Sequence, residues 1–264
     1  MISISPPPLY KYLSLAPAQT PPWQDRLMML LQGNCYLSSA ADFNDPFDCL
    51  PYIEVPTAHP ALLAWKQGMA QRIAEAMAGD IPAWLIQAQA QTALDALPVP
   101  LLREKLQQAA AANAREMGVF CLAETINNVL MWSHYAANHY GIALQFDFQQ
   151  GNAEQLLPIW KVDYQPVRPV ITDMHIAIQE RPLADALATK ADFWHYEQEW
   201  RVMKADKAGT VLPFDRRIIT GIALGAKCTA ENENLIRKMI DNNAITLHRM
   251  RVSDRTFDLT MAAL

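Results

Sequence analysis

The segment Trp194-His195-Tyr196-Glu197-Gln198-Glu199-Trp200-Arg201 holds two carboxylates and a guanidinium within five residues. As a β-strand, alternation puts Glu197, Glu199 and Arg201 on one face and Trp194, Tyr196, Gln198 and Trp200 on the other. Two carboxylates in one row repel unless an arginine, a metal or a shared proton compensates them. As a helix, Phe193, Tyr196 and Trp200 make an apolar stripe, and Glu197 with Arg201 an ordinary i,i+4 pair. The strand is the preferred reading.

Two further clusters carry polar chemistry. In Asp42-Phe43-Asn44-Asp45-Pro46-Phe47-Asp48-Cys49 the Asn-Asp-Pro run specifies a turn, because Asn and Asp bond their own backbone and proline fixes the next dihedral. Phe43 and Phe47 are expected to anchor that loop in the core, with Asn44, Asp45 or Asp48 at a pocket rim. In Met131-Trp132-Ser133-His134-Tyr135-Ala136-Ala137-Asn138-His139-Tyr140-Gly141-Ile142 a helix pairs His134 with Asn138 and Tyr135 with His139. His134 and His139 are then turned about 140° apart, a poor spacing for one metal. Lys11, between Tyr10 and Tyr12, points away from both on a strand and can meet an anion or solvent. Lys190 offers a further cation. Ser133 has no nucleophile-elbow context, and neither a Walker loop nor Gly-x-Gly-x-x-Gly occurs among only 9 glycines.

Elements must position these residues. The 264-residue chain is 51% hydrophobic and 19% charged, which specifies a folded protein able to bury a large core. A net charge of −5 opposes broad nucleic-acid binding, and Arg216-Arg217, Arg237-Lys238 and Arg249-Met250-Arg251 read as surface charge. Met1 to Pro8 lacks the features of a secretory signal, and no apolar run approaches a membrane span. Cys35, Cys49, Cys121 and Cys228 fit reduced thiols, so the expected location is the cytoplasm.

Helices are expected at Trp23–Leu31, at Asn127–His139, at Pro182–Asp192 and at Glu231–Asp241. Strands are expected at Leu9–Leu13, Cys35–Ser38, Gly118–Leu122, Gly141–Phe146, Ile159–Tyr164, Ile218–Leu224 and Ile245–Val252. The stretch Pro60 to Met117, rich in Ala, Gln and Leu, reads as two or three amphipathic helices. Together these specify a single α+β domain over 1–264, a mostly antiparallel mixed sheet with a helical insertion at about 60–117.

The chain resembles a widespread bacterial family, domain of unknown function 2971, through Leu9-Tyr10-Lys11-Tyr12, Phe43-Asn44-Asp45-Pro46-Phe47-Asp48, Trp132-Ser133-His134-Tyr135 with His139, Gly141-Ile142 and Phe146, and Lys190 with Trp194, Tyr196-Glu197 and Glu199-Trp200-Arg201. The resemblance spans most of the chain outside the helical insertion, which looks family-variable. It implies no settled activity and leaves the cofactor open; a looser likeness is to proteins of bacterial abortive-infection and phage defence. Glu197-Gln198-Glu199 is similar to the Glu-x-Glu element of ADP-ribosyltransferases. That likeness implies Glu199 as catalytic carboxylate, Glu197 as its partner, Lys11 or His134 at phosphates or ribose, and Tyr135 or Trp132 stacked on a ring, with NAD as the substrate. The Ser-Thr-Ser element of such enzymes is missing. Alternatively, the same residues, with Tyr12, Asn44, Asp45 and Arg201, line the pocket of a non-enzymatic module that binds a small molecule, a nucleotide or a protein. A third expectation is a metal-dependent nuclease-like site using Asp45, Asp48, Glu197, Glu199 and Lys190.

Overall fold

The computed structural model describes residues 6–16, 22–77, 79–151, 158–171, 186–240 and 244–264. Its chain divides into two units, one built from residues 1–38, 118–162 and 193–264, the other from 39–117 and 163–192.

In the first unit the strands β1 (Leu9–Leu13), β2 (Asn34–Ser39), β4 (Gly118–Ala123), β5 (Ile142–Phe146), β6 (Ile159–Lys161), β10 (Glu199–Lys204), β11 (Thr210–Pro213), β12 (Ile219–Leu224), β13 (Thr246–Val252) and β14 (Leu259–Ala263) form one sheet. Strand order is β11-β2-β4-β1-β5-β12-β13-β14, and β10 pairs with β4 and β6. The pairings are mostly antiparallel; β12 and β13 run parallel, joined through helix α6 (Ala230–Ile240). The fold is α+β, as the sequence pattern specifies.

Alternation sorts the central strands into two buried faces. Ile142, Leu144 and Phe146 of β5 and Ile222 and Leu224 of β12 enter a core shared with α1 (Trp23–Leu31) and α6. Helix α1 stops at Gly33, φ 80°, where a Cβ would come within 2.6 Å of the Phe214 carbonyl. On the other face Ala123, Ala143 and Ala223 make room for α5 (Val129–Tyr135), whose Trp132 is fully buried. Trp132 meets Tyr12 edge to face at 5.2 Å and donates its indole N–H to the Ile126 carbonyl at 2.6 Å. Trading large residues for alanine across neighbouring strands is what lets the sheet accept an indole without a void.

The second unit holds α2 (His59–Ala76), α3 (Ala83–Asp95) and α4 (Val99–Glu116), packed around Val55, Met69, Ala70, Leu94 and Leu102. Two short parallel pairs accompany them, β3 (Tyr52–Ile53) with β8 (Val170–Ile171) and β7 (Asp163–Gln165) with β9 (Thr189–Ala191). Gln107 of α4 ties helix to strand: its amide accepts from the Ile53 N–H at 3.2 Å and donates to the Pro51 carbonyl at 2.8 Å.

Several expectations need correction. The run Trp194–Arg201 is not one strand: Asp192–Glu197 is a 3₁₀ turn, and β10 begins only at Glu199. Gln198 at φ 45° breaks the extension, its N–H closing the turn onto the His195 carbonyl at 3.2 Å. The helix expected over Asn127–His139 ends at Tyr135, because Ala137, Asn138 and His139 all turn left-handed. Ile159–Tyr164 splits into β6 and β7, one in each unit. Of the helix expected at Pro182–Asp192, residues 182–185 lie outside the described residues, and Thr189–Ala191 is strand. Met1–Ser5 and Asp241 also lie outside them. No described helix is long and apolar enough to cross a membrane.

Candidate functional site

Register sets the site of the first unit. Strands β4 and β10 pair antiparallel with Glu199 opposite Ala123 and Arg201 opposite Cys121. Cross-strand partners share a face, so Glu199, Arg201 and Cys121 lie on the side of the sheet that also carries Tyr12 and Trp132. Phe120, Leu122, Trp200 and Val202 take the opposite, apolar side. The alternation read from Glu199-Trp200-Arg201 is therefore present, confined to the strand proper.

The guanidinium of Arg201 forks onto Glu199, Nε to Oε1 at 2.8 Å and one Nη to Oε2 at 3.0 Å. Arg201 is 0% and Glu199 4% exposed, so water screens neither. A planar fork suits such a pair, because both carboxylate oxygens are satisfied at once. Burial pushes the Cys121 thiol well above its ordinary range, and the Glu199 charge and a hydrogen bond to it push further; Arg201 and Lys11 oppose the shift. Cys121 is thus a protonated thiol at neutral pH.

Glu197, 3% exposed, closes the 3₁₀ turn and accepts the Tyr135 hydroxyl at 2.5 Å. Beyond it runs a chain of rings. Phe193 lies 5.8 Å from Trp194, Trp194 5.9 Å from Tyr196, Tyr196 6.4 Å from His134, and His134 6.2 Å from Tyr135. His134 and Phe193 are exposed, while Trp194, Tyr196 and Tyr135 are half-buried. Asn128, capping α5 through its carboxamide oxygen, donates to the Tyr196 carbonyl at 3.3 Å, which fixes the turn against the helix.

The structure thus gathers Glu197, Glu199, Arg201, Tyr135 and His134 on neighbouring elements of the first unit. Tyr12 and Trp132 are present but buried; burial and the neighbouring Tyr10 raise the Tyr12 phenol, whose O–H donates to the Thr125 carbonyl at 2.7 Å. Lys11 leaves the group. Its ammonium donates to the Cys121 carbonyl at 3.0 Å and lies 4.6 Å from the Phe120 ring, on the apolar side of the sheet.

Asn44, Asp45, Asp48 and Lys190 belong to the second unit. Asp45 Oδ1 accepts the Phe47 N–H at 2.9 Å, the turn that Asn-Asp-Pro specifies. Lys190 and Asp48 form a buried ion pair at 3.4 Å. Phe47 is 58% exposed and does not anchor the loop in the core; the Arg168 guanidinium lies 5.8 Å from its ring. Among the described residues no group of three or more His, Cys, Asp or Glu is placed to hold a metal.

For two residues the sequence reading gave the type but not the setting. Cys121 looks like any buried thiol until β10 is registered against it. His139 sits on the left-handed turn after α5, with φ 47°, 53° and 73° at Ala137, Asn138 and His139. Such backbone costs about 1–2 kcal/mol per residue and carries no mark in the sequence beyond Gly141 downstream.

Comparison with curated proteins and with solved structures gives no match. A family model does match, from α5 to β10, and so covers His134, Tyr135, Glu197, Glu199 and Arg201. The match, over residues 131–202, is to the family described as protein of unknown function DUF2971, which the chain resembles there.

Proposed function

We propose that the first unit is a non-enzymatic ligand-binding module, with the ring chain from Phe193 to Tyr135 as its contact surface and the buried acid–arginine pair as its rigid floor. The observation that carries this reading is the closure of Glu199: both oxygens are held by Arg201 at 2.8 and 3.0 Å in a buried site. A carboxylate that must steady a developing cation needs an oxygen facing the substrate. Glu199 instead fixes β10, and β10 fixes the turn that carries Trp194, Tyr196 and Glu197. Exposed and half-exposed rings suit a planar ligand such as a nucleobase, because every base offers a face for stacking.

ADP-ribosyl transfer from NAD is the second reading. It is favoured by Glu197, whose carboxylate stands beside Tyr135 and one residue beyond Tyr196 of the ring chain. A metal-dependent nuclease-like site gains no comparable support.

The test is a thermal-shift titration with NAD, AMP and adenosine, coupled to an assay for released nicotinamide. A ligand that binds only the folded state raises Tm in proportion to the logarithm of its concentration. The expected result is a rise with the adenine compounds that grows with the logarithm of their concentration, lost in Tyr196→Ala and His134→Ala, with NAD left intact. Nicotinamide release abolished by Glu199→Gln or Glu197→Gln would replace the binding reading with the transferase. No shift with any of the three would overturn the nucleobase assignment.

A further inference from the structure

An edge strand presents a row of unpaired N–H and C=O groups to any extended chain, and proteins blunt such edges with shortness, lysine or proline. Two edges of the first unit's sheet follow that rule. Strand β6 is three residues long and carries Lys161, and β11 closes on Pro213. Strand β14, Leu259-Thr260-Met261-Ala262-Ala263, does not: it runs for five residues with neither charge nor proline. Among the described residues its only partner strand is β13.

The ladder with β13 fixes which groups are left over. Ser253 N–H donates to the Asp258 carbonyl and Leu264 N–H to the Leu247 carbonyl, each at 3.0 Å. Both bonds continue the register that sets Arg251 opposite Thr260 and Arg249 opposite Ala262. Antiparallel pairs that exchange hydrogen bonds alternate with pairs that do not, so Thr260 and Ala262 turn their peptide groups to β13. Leu259, Met261 and Ala263 turn theirs outward. The side chains along this edge are apolar or small: Met261 is 39% and Leu264 48% exposed, and Thr260 and Ala263 are exposed beside them.

The outward set is symmetric about Met261. A second copy of the strand, laid antiparallel with Met261 opposite Met261 and Leu259 opposite Ala263, satisfies every outward N–H and C=O, with three hydrogen bonds donated by each copy. Thr260 then meets Ala262 across the junction, and no like charges face each other. A strand of other sequence would have to match both the spacing and the lack of charge; a second copy does so by two-fold symmetry. We propose that β14 is a dimerisation edge, joining the sheets of two copies of this chain in that register around an axis at Met261. A contact made chiefly of one ladder falls below the roughly 1,200 Å² of stable complexes, so the dimer is weak and reversible. The edge is separate from the ring chain and stands whether or not that surface binds a nucleobase.

Sedimentation velocity from low micromolar to submillimolar concentration, with amide hydrogen exchange read by NMR over the same range, tests this directly. The mass should rise reversibly from monomer to dimer. The Thr260 and Ala262 amides should be protected at every concentration, and those of Leu259, Met261 and Ala263 only as the dimer forms. Met261→Lys sets two like charges face to face on the axis and should weaken association at least about tenfold, while its melting curve verifies the fold. The wild-type exchange pattern decides the matter even where that variant fails to fold. A monomer throughout, a dimer that Met261→Lys leaves intact, or protection that misses the three outward amides would overturn the proposal. Protection of those amides in the monomer would overturn it too, by showing that another stretch of the same chain lies on the edge.

Discussion

Among the described residues, each unit contains a buried ion pair, and the two are built differently. In the first unit Glu199 and Arg201 stand two residues apart on one strand face and meet through a planar fork. In the second, Asp48 comes from the Asn-Asp-Pro loop and Lys190 from β9, and they meet as point charges at 3.4 Å with side chains 1% and 4% exposed. The strand pair is dictated by local geometry, since i and i+2 on a strand face the same way. The loop pair depends on β9 reaching a turn far away in sequence. Buried charges are tolerated only when paired, so both mark places where each unit must fold one way. The fork supplies two parallel hydrogen bonds and thus an orientation.

The contrast can be broken most forcefully at Arg201. Arg201→Met leaves Glu199 buried without its partner, and chemical denaturation should show a loss of about 3–5 kcal/mol. Lys190→Met should cost about 3 kcal/mol at the low end of the same range, because its ammonium meets Asp48 at 3.4 Å, a longer contact than either bond of the fork. A result in which Lys190 matters more would reverse the ranking. The double variant Glu199→Met/Arg201→Met sharpens the point: it removes both charges and should recover most of the single-variant loss, leaving it within about 2 kcal/mol of wild type. Tyr135→Phe withdraws one hydroxyl from the Glu197 carboxylate and should lower stability by about 1–2 kcal/mol in thermal melts.

The smallest effect separates both pairs from an ordinary titration. The folded-state pKa of His139 lies below its ordinary value of 6.5. The unfolded chain therefore takes up a proton first as pH falls, and stability drops from pH 6.5 down to the folded value, then levels. Above pH 6.5 the contribution is complete. Melting curves across that window should show a shallow decline, absent in His139→Gln.

Much of the frame was legible in the sequence. The apolar alternation of Ile142-Ala143-Leu144-Gln145-Phe146 and the run Ile219–Leu224 announce buried strands, and Gly33 announces the end of α1. The helical insertion was equally plain, because Ala, Gln and Leu leave little else to form between Pro60 and Met117. The site was legible as a set of residue types rather than as a geometry. Glu199 and Arg201 share a face because both belong to β10, yet nothing local shows that Gln198 turns left-handed and sends Glu197 to Tyr135 instead. Lys11 looks like an anion ligand by type; the pairing of β1 puts it over Phe120. The hairpin strand β14 passed unnoticed because Leu259-Thr260-Met261-Ala262-Ala263 has neither β-branched runs nor alternation, and pairing with β13 alone makes it a strand.

The first unit is drawn from three separated stretches of chain, residues 1–38, 118–162 and 193–264. On the ribosome, β1, β4 and β5 emerge and can pair, but the strands that complete them, β10 on β4 and β12 on β5, arrive only with the last third of the message. Until then the edge of β4 that will receive Arg201 stays open, together with the apolar side formed by Phe120 and Leu122. Synthesis that stalls before codon 199 thus releases a chain with an unpaired, hydrophobic strand edge, the form most prone to aggregate or to be captured by a chaperone.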